Sequence, residues 1–127
     1  MRILFCSNYF THHQIPLSDA LYELTNHNYC FVAHKEMDAE RKDLGWGNDL
    51  VRPYTCSASD QEVQKQLNDL DVLIAGSFPE RQTKEYGKKA KLFFRYSERP
   101  LKAGNPVLKY IPRFLKWHYY NPPWRKT

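Results

Sequence analysis

The run Asp71-Val72-Leu73-Ile74-Ala75-Gly76 constrains this chain more than any other stretch. A nearly unbroken apolar strand has no polar face to offer water, so both of its faces must be covered, as happens in parallel sheets. Arg2-Ile3-Leu4-Phe5-Cys6-Ser7 and Tyr29-Cys30-Phe31-Val32-Ala33 are strands of similar kind, and Lys91-Leu92-Phe93-Phe94-Arg95-Tyr96 is the last strand. Helical patterns lie between them. Residues 15–26 place Leu17, Ala20, Leu21 and Leu24 on one face. Pro16 suits the first turn of that helix, where a backbone N–H has no partner to lose. Ser59-Asp60-Gln61-Glu62 reads as a capping box for a helix that turns Val63, Leu67 and Leu70 inward. Pro79 and Glu80 open a highly charged helix to about Lys89. Residues 35–43 are charged, with a helix as one reading, and are broken off by Gly45-Trp46-Gly47-Asn48. A short third strand is expected at 50–54, and Pro53 keeps it out of the middle of a sheet. Strands alternating with helices imply right-handed crossovers. The expected class is therefore α/β: a Rossmann-like, mostly parallel sheet flanked by helices.

At 127 residues the chain suits a single domain, with residues 101–127 read as a basic, aromatic, helical tail. Its 42% hydrophobic and 26% charged content is that of an ordinary globular protein. Cys6, Cys30 and Cys56 form an odd set without metal or redox spacing. Two of them sit in apolar strands, where a free thiol acts as a small hydrophobe. A reducing, cytoplasmic setting follows as an expectation. The start has no signal-peptide pattern, and no apolar run is long enough to span a bilayer.

In an open α/β sheet, ligands gather outside the carboxyl ends of the strands. The loop after the first strand, residues 8–14, carries Asn8 and the adjacent pair His12 and His13. A neutral imidazole can take a proton from a hydroxyl near neutral pH or hydrogen-bond an acceptor. Either ring could instead cap the next helix or pack on Tyr9, but the pair at a strand's carboxyl end favours function. The last strand delivers Ser97, Glu98 and Arg99 in succession, a set of donors and acceptors suited to a polar ligand. An ion pair of Glu98 with Arg95 or Arg99 that fixes the loop is the competing reading. Ser77 and Glu80 follow the apolar strand, where Glu80 also favours a helix N-terminus. The loops at 8–14, 77–80 and 97–100 are expected to lie near one another. No G-x-G-x-x-G follows a strand, no P-loop is present and no zinc spacing occurs, so neither cofactor nor metal is expected.

The charge is +5 and uneven. After Glu98 no acid occurs, while Arg99, Lys102, Lys109, Arg113, Lys116, Arg125 and Lys126 do. Val107, Leu108, Ile111, Leu115 and Tyr119 can share one side of this segment, with Lys109, Arg113 and Lys116 on another. Such a stripe suits packing on a sheet or a further domain; it also suits peripheral contact with an anionic membrane face. Pro112 argues against one straight helix. Nucleic acid is the less favoured partner.

Ile3-Leu4-Phe5-Cys6-Ser7-Asn8-Tyr9 with His12-His13-Gln14-Ile15-Pro16, then Asp71 through Glu80, then Phe93-Phe94-Arg95-Tyr96-Ser97-Glu98-Arg99-Pro100, resemble bacterial glycosyltransferases of the group 1 type. The resemblance implies the GT-B architecture, in which two Rossmann-like domains face each other across a cleft. It implies a hexose passed from a nucleotide sugar to a saccharide or lipid-linked acceptor without a metal. The N-terminal domain would mainly bind acceptor, with His12 and His13 lining the cleft and Ser97, Glu98 and Arg99 bordering it. The donor-binding half, with its paired glutamates, has no counterpart in these residues. The expectation is an incomplete acceptor-side domain, inactive alone, with the donor site on a second chain or domain. The alternative is a non-enzymatic Rossmann-like binding module with a basic tail for a membrane surface or nucleic acid.

Overall fold

A computed structural model describes residues 1–46, 50–57 and 59–96. Five strands form one sheet: β1 (Ile3–Ser7), β2 (Tyr29–Ala33), β3 (Thr55–Ser57), β4 (Val72–Ala75) and β5 (Leu92–Arg95). Their order is β3-β2-β1-β4-β5, and every pairing is parallel. The helices are α1 (Ile15–Leu24), α2 (Ala39–Asp43), α3 (Gln61–Asn68) and α4 (Glu80–Lys89). This is the expected Rossmann-like α/β arrangement.

Alternation along the strands divides the core by face. Leu4, Cys6, Cys30, Val32 and Leu73 pack with Val63, Leu67 and Tyr86 of α3 and α4. Ile3, Phe5, Phe31 and Val72 point the other way, joined by Phe10 and Tyr54 and flanked by Ile15, Leu21 and Tyr22 of α1. β1 is central and buried at all five positions.

Five local expectations are corrected. In α1, Leu17 and Leu24 are exposed. The helix instead buries Ser18, whose hydroxyl pairs with the Tyr29 hydroxyl at 2.8 Å. A small side chain lets the helix approach the sheet, and the hydrogen bond removes the cost of burying both hydroxyls. The helix also ends at Leu24 rather than Asn26, because Asn26 and His27 adopt positive φ.

The third strand is Thr55–Ser57, not 50–54. Leu50 and Tyr54 do face the core, but from irregular backbone, and pairing with β2 begins only past Pro53. The strand does lie at the sheet edge, as Pro53 suggested. The capping box does not form. The Asp60 carboxylate accepts from the Ser57 backbone N–H at 2.5 Å, closing the turn after β3 rather than capping α3. Within 35–43, only Ala39–Asp43 is helical, and it buries nothing.

At the amino edge, Asp71 ties three strands together. Its carboxylate accepts from the Arg2 backbone N–H and the Lys91 ammonium, each at 2.7 Å. These two bonds, Lys91 first, hold its pKa below the ordinary 3.8. A depressed carboxyl pKa stabilises the fold above that ordinary value, and the contribution is lost as pH falls through the depressed one. Asp71→Asn is therefore expected to flatten the loss of stability below about pH 4 in denaturant melts. Equal acid sensitivity in both proteins would contradict this assignment.

Candidate functional site

The strand order reverses between β1 and β4. From β1 the chain winds outward through β2 to β3, then returns through α3 to β4 on the other side. The loops after β1 and β4 lead to helices on opposite faces, and at such a switch point the carboxyl edge of a sheet carries the ligand-binding crevice. Gly76 lies at this point. A Cβ there would come within 2.9 Å of the Ser7 Oγ, so a larger residue would have to push that hydroxyl aside. Its N–H donates to the Cys6 carbonyl at 2.7 Å.

Hydrogen bonds carry the sheet ladder past its strands and hold the loops side by side. The His34 N–H donates to the Ser7 carbonyl and the Lys35 N–H to the Asn8 carbonyl, both at 2.9 Å. Asn8 organises the first loop: its Oδ1 accepts from the Ser7 hydroxyl and from the Tyr9 N–H. Gln14 closes the loop, its Oε1 accepting from the Thr11 N–H and hydroxyl. Phe10 anchors it, with its ring 4.7 Å from that of buried Phe31.

On this frame His12 and His13 stand exposed, their ring centroids 3.9 Å apart. The imidazoles pair with each other and with the indole of Trp46, which stands edge-on at 5.8 Å and 6.1 Å. Behind them, the Arg41 guanidinium lies 5.0 Å from the Tyr9 ring centre and 5.7 Å from that of Trp46. Cation–π attraction at these distances holds the three groups together. The Tyr9 hydroxyl donates to Asp38 Oδ2 at 3.0 Å, and this bond raises the phenol's pKa. The result is a rim of two imidazoles, an indole and a guanidinium.

The structure distributes the remaining candidates differently. Asn8 supports the loop and Ser77 is exposed beside the crevice. Glu80 lies in the first turn of α4 and accepts from Arg95 at 2.8 Å, an ion pair between α4 and β5. Ser97, Glu98 and Arg99 lie outside the described residues. Tyr9, Asp38, Arg41 and Trp46 complete the rim but were not picked out from sequence, whereas the His34 ring turns to Phe78. An exposed tryptophan between two glycines, after a strand and a charged stretch, was the available signal.

The three thiols are free. Burial raises the Cys6 pKa, and hydrogen bonding to Cys56 with burial raises that of Cys30, which suits inert core positions. Among the described residues, no group of three or more His, Cys, Asp or Glu is placed to hold a metal ion. Among them, too, no helix is long and apolar enough to cross a membrane. Comparison with family models, with curated proteins and with solved structures found no match.

Proposed function

We propose that this chain is the acceptor-binding side of a glycosyltransferase that moves a hexose from a nucleotide sugar to a saccharide or lipid-linked acceptor. The observation that carries the reading is the paired imidazoles of His12 and His13 beside Trp46, on the loop after the central strand. The C–H faces of a sugar pack on aromatic rings, whose faces are electronegative. An exposed imidazole beside such a platform can take the proton from an acceptor hydroxyl as it attacks. The reaction class itself comes from the sequence resemblance. In this reading, the oxocarbenium-like state and departing diphosphate are stabilised chiefly by groups on a second chain or domain.

Titration of the pure chain with oligosaccharides, followed by NMR, tests the reading. Weak saccharide binding is expected to shift the ring resonances of His12, His13 and Trp46, and Trp46→Ala is expected to weaken it severalfold. A UDP- or GDP-sugar is expected to remain intact. Rings unmoved by any saccharide would overturn acceptor binding, and sugar transfer by the chain alone would overturn the division of labour. The run of seven cations without an acid after Glu98 favours the second reading, a binding module. Steeply salt-dependent binding to anionic vesicles or RNA, with no response to sugars, would select it.

A further inference from the structure

Among the described residues, nothing covers one half of one sheet face. β5 turns Phe93 toward α3 and α4, whereas Leu92 and Phe94 point to the α1 side. Leu92, Phe94 and Tyr96 are 57%, 56% and 53% exposed. They continue the apolar surface of Val72 and Ile74, their register neighbours on β4, and the Tyr96 ring meets Phe5 edge-on at 5.5 Å. α1 supplies side chains to this face around Phe5 and Phe31 but leaves the β5 residues open. A contiguous apolar patch on a sheet is a surface made to be covered.

We propose that residues 106–120 of the same chain cover this strip. The chain continues for 31 residues, 97–127, from the carboxyl end of the strand that needs covering. Pro100, Gly104 and Pro106 provide turn residues for a reversal before Val107. Val107, Leu108, Ile111, Leu115 and Tyr119 then supply one apolar side, leaving Lys109, Arg113 and Lys116 for solvent. The strip spans two strands, about 10 Å, which is the width of one helix, roughly 10–12 Å. Pro112 allows a bend within the segment, following the twist of the sheet. A tether this short holds the segment at an effective concentration in the millimolar range. A second copy laid on the strip would instead leave the apolar sides of both segments without a surface. Docking also has a consequence for the crevice: it anchors both ends of the stretch bearing Ser97, Glu98 and Arg99. The inference rests on the sheet face and not on the transferase reading.

The test places p-benzoylphenylalanine at position 94 of the full chain and maps photo-cross-links by mass spectrometry. Phe94 is over half exposed, so the probe replaces it without disturbing the core. The expected product is an intramolecular cross-link to residues 106–120 whose yield does not depend on protein concentration. Ile111→Asp with Leu115→Asp is expected to lower that yield at least fivefold. Cross-links formed only between chains, or none to this segment, would overturn the proposal. So would an undiminished yield in the double variant.

Discussion

On the proposed transferase reading, alanine at His13 is expected to lower sugar transfer by roughly 10²- to 10⁴-fold in an enzyme reconstituted with a donor-binding partner, while the chain's melting temperature hardly moves. The size of the loss is that of a missing general base. The small effect on stability follows from position: His13 is exposed, and exposed substitutions of this kind usually stay within about 0.5 kcal/mol. The two imidazoles touch, so His12→Ala is the necessary companion. The ring that takes the proton shows the larger fall in kcat and a changed pH profile; the ring that only supports the sugar shows a raised KM. A His13 variant that loses stability and activity in equal proportion would mean that the imidazole serves the fold.

The reverse pattern belongs to Phe31. Its side chain is completely buried in β2, with the rings of Phe5 and Phe10 at 4.9 Å and 4.7 Å. Phe31→Ala is expected to cost about 3–5 kcal/mol, the transfer free energy plus the cavity left behind. For a domain of this size that lowers the melting temperature by more than roughly 10 °C. On the proposed reading it is also expected to weaken saccharide binding, because Phe10 loses the ring against which the histidine loop is seated. Thermal melts and the sugar titration, run on the same preparation, separate the two variants. A Phe31→Ala protein melting within a few degrees of the parent would show that this face of the core collapses to fill the gap.

The fold was largely legible because burial on both faces writes itself into a strand as an apolar run. β1, β2 and β4 were read from such runs, and their parallel pairing followed. What escaped was what neighbours decide. Ser18 is buried because Tyr29 offers it a hydroxyl, a fact absent from any helical periodicity. Thr55–Ser57 looks like loop, yet β2 presents an open edge to it. At the rim, His12 and His13 were legible as polar residues after a strand. Arg41 and Trp46 were not: Arg41 reaches Tyr9, and Trp46 the histidines, only because β2 runs alongside β1, bringing two sequence-distant loops together.

That gathering is asymmetric. One side of the rim is seated on the core through Phe10, but the other arrives on α2, a five-residue helix with no buried side chain. Among the described residues it is held by Asp38's bond to Tyr9, the stacking of Arg41 and the edge contacts of Trp46 with the histidines, all near the surface, so it can detach at small cost while the sheet stays intact. For the proposed saccharide, affinity is expected to track how often that arm already lies against the histidines, more than the tally of contacts a guest makes once it does.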